Sequence, residues 1–203
     1  MESIVETPRG PARVHAEDPA GALCGLLVLG HGAGGGITAP DLAAVAATAV
    51  GLGLAVRRVE QPYRVAGRRS AAPAPALDEA WLAVVAALAA DVPDVPIVVG
   101  GRSSGARVAC RTAAAVQASA VLCLAFPVHP PGKPDKTRLP ELDAVAVPVL
   151  VVQGDRDPFG MPPAAPGRTV VVIPGADHAL RRDLATLRGA LTDWLRETGV
   201  TRE

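Results

Sequence analysis

The run Gly100-Gly101-Arg102-Ser103-Ser104-Gly105-Ala106-Arg107 concentrates more potential chemistry than any other stretch of the chain. It contains a G-x-S-x-G pattern, placed after the apolar Pro96-Ile97-Val98-Val99 and ahead of a small-residue helical segment. Between a strand and a helix, this pattern makes a turn so tight that its serine is strained and its hydroxyl stands clear of the sheet. Glycines two residues before and two after Ser103 leave room where a Cβ would strike the neighbouring strand and helix. Ser103 is therefore a candidate nucleophile. A serine hydroxyl reacts poorly alone: it needs a base, and the base needs a carboxylate to orient it.

The chain offers both groups in order. Gln153-Gly154-Asp155-Arg156-Asp157-Pro158-Phe159 follows one predicted strand, and Pro174-Gly175-Ala176-Asp177-His178-Ala179 follows the next. The spacing from Ser103 to Asp157 holds one helix and two strands. His178 is the candidate base. His31 precedes the nucleophile within a glycine loop, His129 lies in a loop after a strand as an outside competitor, and His15 belongs to the N-terminal region. Asp157 is favoured as the acid over Asp155. The first aspartate of such a turn bonds backbone amides and shapes it, while Pro158 holds Asp157 extended. Asp177 is expected to point away from its neighbour His178. The glycine-rich His31-Gly32-Ala33-Gly34-Gly35-Gly36 follows the first long strand, where a loop amide can help to hold an oxyanion. That nominates the backbone amides of Ala33 and Ser104, with Gly34 the alternative to Ala33. The loop lacks the G-K-[ST] ending of a phosphate loop, and no G-x-G-x-x-G fingerprint stands where a dinucleotide needs it.

Tyr63, Arg64, Phe126 and His129 border two irregular stretches, Gln61 to Ala76 and Pro127 to Pro140, and are candidates to line a substrate pocket. Arg102, Arg107, Arg64 and Arg68 either bring positive charge to the site, favouring an acid-bearing substrate, or lie solvated on the surface. Trp81 falls on a core stripe.

The elements that must position these groups read clearly. Leu23–Leu29 is apolar without alternation, as a strand buried on both faces is. A helix over Pro40–Leu52 and a strand over Leu54–Val59 follow. Leu77, Trp81, Val84 and Leu88 mark one helix face, with Asp78 and Glu79 in its first turn. Beyond Ser103 come a helix to about Gln117, strands Ala120–Phe126, Val147–Gln153 and Thr169–Ile173, and a last helix through Leu180, Leu184, Leu187, Leu191 and Leu195. Strands alternating with helices imply a mostly parallel sheet with helices on both faces. Ser3–Glu6 and Ala12–His15 would add an antiparallel hairpin at one edge.

A length of 203 residues suits one α/β domain spanning 1–203. Twenty basic and twenty acidic residues cancel, so neither nucleic acid nor an acidic membrane is an expected partner. The three cysteines, Cys24, Cys110 and Cys123, form no C-x-x-C pair and read as small buried hydrophobes in a reducing compartment. With no apolar leader after Met1 and no run of about 18 apolar residues, the chain reads as cytoplasmic.

With nucleophile turn, acid and histidine in sequence, the chain resembles the α/β-hydrolase superfamily. More narrowly, it is similar to short, lidless, dienelactone-hydrolase-like proteins. These are related to a testis-expressed hydrolase-like protein and to the hydrolase-like domain of a histone-acetyltransferase complex subunit. The matching segments are His31–Gly35, Gln61–Arg64, Ala66–Arg69, Gly100–Arg107, Phe126–Pro134 and Val152–Phe159. The group commonly carries lysine, methionine and glycine where this chain has Arg102, Ser104 and Ala106. The resemblance implies an α/β-hydrolase fold without a sizeable cap, needing no metal or cofactor. The expected activity is cleavage of a small-molecule ester or thioester by Ser103, His178 and Asp157. Two rivals use the same fold: a binding or assembly protein with an idle triad, and an acyltransferase. Oligomeric state is not legible.

Overall fold

The computed structural model describes residues 1–201. Its centre is an eight-stranded sheet in the order β1-β2-β4-β3-β5-β6-β7-β8. The strands are β1 (Glu2–Val5), β2 (Ala12–Glu17), β3 (Gly25–Gly30), β4 (Leu54–Glu60), β5 (Ile97–Arg102), β6 (Ala120–Leu124), β7 (Val149–Gly154) and β8 (Arg168–Ile173). From β4 to β8 all neighbours are parallel, and the expected hairpin β1–β2 adds antiparallel to β4. The helices are α1 (Pro40–Gly51), α2 (Pro62–Val65), α3 (Ala74–Asp91), α4 (Ser104–Thr112), α5 (Leu139–Asp143) and α6 (Leu184–Glu197).

Alternation along buried strands feeds two apolar layers. Leu26 and Val28 of β3 join Trp81, Val84 and Ala109 on the face covered by α3 and α4. Leu27 and Leu29 point the other way, with Leu42 and Val45 of α1 and Leu187, Leu191 and Trp194 of α6. Each fully buried leucine removes enough surface to favour folding by about 1.5–3 kcal/mol. That explains why β3, β6 and β7, enclosed on both sides, read as continuous apolar runs. Cys110 and Cys123 sit in the first layer as free thiols with sulfurs 3.5 Å apart. No helix among the described residues is long and apolar enough to cross a membrane.

Several boundaries depart from the sequence expectation for identifiable reasons. β5 runs on through both glycines to Arg102, so the strand itself delivers the serine. α4 stops at Thr112, short of Gln117, which takes a positive φ. β6 ends before Ala125, whose φ of 48° turns the chain. α3 begins a turn early, so Asp78 and Glu79 lie beyond its first turn and pair with Arg111 and Arg9 instead of meeting the helix dipole. α6 begins after Asp183, whose carboxylate accepts from the Thr186 amide and caps it. Leu180 is buried but precedes the helix in a left-handed conformation. The stretch expected to be irregular after Gln61 holds α2 and the start of α3, and α5 begins at the end of the second one.

At the carboxyl edge, β3, β5 and α4 meet at backbone distance. A Cβ added to Gly101 or Gly105 would collide with the carbonyl of Gly30. Overpacking against a backbone atom costs about 1–3 kcal/mol, so Gly105→Ala is expected to lower the melting temperature by several degrees. Exposed Gly189, inside α6 with open space around it, gives the opposite case. Gly189→Ala should stabilise the protein by about 0.5–1 kcal/mol in thermal unfolding.

Candidate active site

Ser103 occupies the corner between β5 and α4 with φ 52° and ψ −108°, a conformation that L-residues rarely adopt. Its amide donates to the Leu124 carbonyl of β6, and its carbonyl accepts from the Arg107 amide in α4. The strain is thus held by hydrogen bonds on both sides. The hydroxyl is left facing the cleft.

His178 stands above it, on the turn after β8. Its Nε2 lies 2.9 Å from Ser103 Oγ and its Nδ1 2.8 Å from Asp157 Oδ2. The carboxylate can only accept, so Nδ1 carries the proton and Nε2 is free to accept from the serine hydroxyl. The Asp157 side chain is fully buried on the turn after β7. It also accepts from the Phe159 amide at 2.9 Å and from Gln153 Nε2 at 2.9 Å. Gln153 and the 157–159 turn therefore fix the carboxylate before it meets the imidazole. Phe159 stacks on the His178 ring, centroids 4.1 Å apart, which restrains the ring's rotation.

The other aspartates do the work expected of turn residues. Asp155 Oδ1 accepts from the Gly175 amide at 2.7 Å and ties the two turns together. Asp177 accepts from the Ala179 amide within its own turn. Asp157, not Asp155, is the carboxylate against His178.

The glycine loop after β3 closes the other side of the cleft. His31 is buried at its root, with Nδ1 2.8 Å from the Gly32 carbonyl and Nε2 accepting from the Gln61 amide at 3.1 Å. Burial pushes its pKa below the ordinary histidine value, as suits a neutral ring that donates from one nitrogen and accepts at the other. Tyr63 Oη donates to the Ala33 carbonyl at 2.9 Å. Among the described residues, neither the Ala33 nor the Ser104 amide donates to a protein acceptor, and both residues line the cleft beside Ser103.

Arg102 links these pieces. Its Nη2 donates to the His178 carbonyl at 2.6 Å, and its Nε lies 2.9 Å from Oδ2 of the fully buried Asp41 in α1. The Arg102–Asp41 approach lacks hydrogen-bond alignment. Burial accordingly raises the Asp41 pKa in spite of Arg102. This arginine thus braces the histidine turn against α1 from the residue next to the serine, a role its motif position did not announce.

None of the four side chains expected to line the substrate pocket borders the cleft beside Ser103. Phe126 is completely buried in the first core layer, because the turn at Ala125 folds it inward. Tyr63 is buried behind the glycine loop. Arg64 reaches back toward the Arg68 carbonyl, and His129 Nδ1 lies 2.9 Å from the Pro130 carbonyl of its own loop. The cleft, about 590 Å³, is instead walled by the glycine loop, Ala71, Ala72 and Leu77, Phe159 and a set of arginines. Phe159 was within reach of sequence reasoning, since it directly follows the Asp-Pro of the acid turn. Ala71 and Ala72 give no such signal.

The family model described as an alpha/beta hydrolase domain matches residues 24–190. No curated protein matches the chain in sequence. Among solved structures, an α/β serine hydrolase without a lid from Xanthomonas campestris is similar, with TM-score 0.79 and 24% identity, covering 97% of this chain and 94% of that one. Est1E from Butyrivibrio proteoclasticus superposes with TM-score 0.78 at 18% identity, covering 98% and 99%. A dienelactone hydrolase from Anabaena variabilis gives 0.74 at 19%, covering 97% and 96%. At these identities the likeness is one of fold.

The buried Asp41 carries a pH signature. An acid whose pKa is raised by folding holds its proton longer in the native state, so its contribution to stability is lost as pH rises through the window above its ordinary 3.8. Asp41→Asn removes that titration. The melting temperature of the native protein minus that of Asp41→Asn should therefore fall as pH rises from about 4 toward neutrality. A rising difference would contradict the assignment.

Proposed function

The chain belongs to the alpha/beta hydrolase domain family, and on that premise we propose that it is a serine hydrolase cleaving an ester or thioester of a small acyl group. The observation that carries this reading is the continuous hydrogen-bond line from Ser103 Oγ through His178 to the buried Asp157 carboxylate. In the reaction, Ser103 Oγ attacks the carbonyl carbon and its proton passes to His178 Nε2. Asp157 keeps the ring in its Nδ1–H form and offsets the charge of the imidazolium. The former carbonyl oxygen, now anionic, receives the amides of Ala33 and Ser104, which have no competing protein acceptor among the described residues. Collapse of this intermediate expels the alcohol or thiol, which takes the proton from His178, and leaves an acyl-serine. Water then attacks the acyl carbon and gives its proton to His178, and the second collapse releases the acid while Ser103 Oγ takes that proton back.

An open cleft of about 590 Å³ without a cap suits a short acyl group. The narrower kinship with lidless, dienelactone-hydrolase-like proteins related to the testis-expressed hydrolase-like protein rests on the loop motifs and belongs to the same proposal. No feature of the cleft favours a non-water acceptor over water.

The test is turnover of p-nitrophenyl acetate by the purified chain. Ser103→Ala is expected to lower kcat by about 10⁶-fold. Asp157→Asn, which permits the wrong tautomer, should cost about 10⁴-fold. Rates in either variant within about tenfold of the native protein would refute the assigned roles.

A further inference from the structure

Five arginines line the cleft beside Ser103: Arg102, Arg107, Arg111, Arg138 and Arg181. No carboxylate among the described residues does. Three of the five are neutralised from behind. Arg102 faces Asp41. Arg107 makes two bonds to Glu141, at 2.7 and 2.5 Å. Arg111 makes two to Asp78, at 2.8 and 2.6 Å, and touches Glu141 at 3.2 Å. Glu141 is therefore shared between two cations and has little left for a third.

Arg138 is that third. It precedes α5 at the end of the loop after β6, held in place by its amide's 2.7 Å bond to the Val128 carbonyl. Its side chain has no carboxylate within ion-pair distance among the described residues. It is half-buried, and that burial together with the nearby Arg107 charge lowers its pKa. A half-buried cation beside another cation costs stability unless an anion arrives to satisfy it. Arg181, three residues past His178 and exposed, adds a second cation at the rim that is unpaired among the described residues. The only negative charge in the reacting line, the Asp157 carboxylate, is fully buried and engaged by three donors.

We infer that this cleft selects substrates carrying an anionic group, carboxylate or phosphate, which pairs with Arg138 while the scissile carbonyl lies at Ser103. The inference rests on the hydrolase reading and deepens it. The specificity comes from residues other than the Arg64 and Arg68 of the sequence expectation. Neither of those lines the cleft.

Two substrate pairs place the charge on either side of the scissile bond. Mono-p-nitrophenyl adipate and p-nitrophenyl methyl adipate differ by a carboxylate on the acyl part. S-acetyl-4′-phosphopantetheine and S-acetylpantetheine differ by a phosphate on the leaving part. After correction for uncatalysed rates, kcat/KM should favour the anionic member of at least one pair by about tenfold, less so at high salt. That ratio should fall toward unity in Arg138→Gln and return in Arg138→Lys. Because it is a ratio, it does not depend on the amount of folded enzyme. Ratios near unity in both pairs, or a preference undiminished in Arg138→Gln, would overturn the inference. Failure of the hydrolase reading looks different: no member of either pair turns over. Calorimetric titration of Ser103→Ala protein with monomethyl adipate, dimethyl adipate and inorganic phosphate then decides the anion question by itself. Binding of an anion in preference to the diester supports the inference, and equal or absent binding overturns it.

Discussion

The carboxyl edge of the sheet depends on one close approach of backbone to backbone: Gly101 and Gly105 against the carbonyl of Gly30. Without side chains at those two positions, β5 can run to its last residue beside β3 and α4 can leave at a sharp angle. The serine between them is forced to φ 52°. A larger residue at either glycine would push α4 off the sheet, and the Ser103 hydroxyl would leave the line to His178. The strain costs free energy on the order of 1–3 kcal/mol. The apolar layers on both faces supply it, and the hydrogen bonds of Ser103 to β6 and α4 direct it.

Around that corner, the loops that complete the site are held by polar groups from elements distant in sequence. His31 bonds the glycine loop to the end of β4, and Tyr63 bonds it to α2. Arg102 holds the histidine turn to α1 through Asp41. Asp155 and Gln153 lock the acid turn to its neighbours. Each loop is therefore set before any substrate arrives, which is what electrostatic stabilisation of a developing oxyanion requires. The same economy governs charge in the cleft. Glu141 and Asp78 neutralise the arginines of α4 and leave Arg138 to face the solvent of the cleft.

What could be read from sequence was whatever depends on local order. The G-x-S-x-G turn, the succession of serine, acid and histidine, and the apolar strands between them follow from spacing, and the structure brings Ser103, His178 and Asp157 together. The direction of an isolated side chain could not be read. Phe126 and Tyr63 flank loops, yet the turn at Ala125 sends one into the core and an Oη bond draws the other behind the glycine loop. Leu180 continues a helical period, but the left-handed residues at 180 and 183 delay the helix until a cap forms. Ion pairs joining residues some thirty positions apart, such as Arg107 to Glu141 and Arg111 to Asp78, leave no mark in a single sequence. Without them the arginines lining the cleft cannot be sorted into neutralised and free.

On the proposed mechanism, the strained Ser103 hydroxyl is an activated nucleophile. Mass spectrometry of the chain treated with a fluorophosphonate tests it most directly, because the reagent is attacked by such a serine and leaves a stable adduct. One adduct per chain is expected, on the peptide containing Ser103, absent from Ser103→Ala and strongly slowed in His178→Ala. An unlabelled native chain, or labelling that persists in Ser103→Ala, would contradict it.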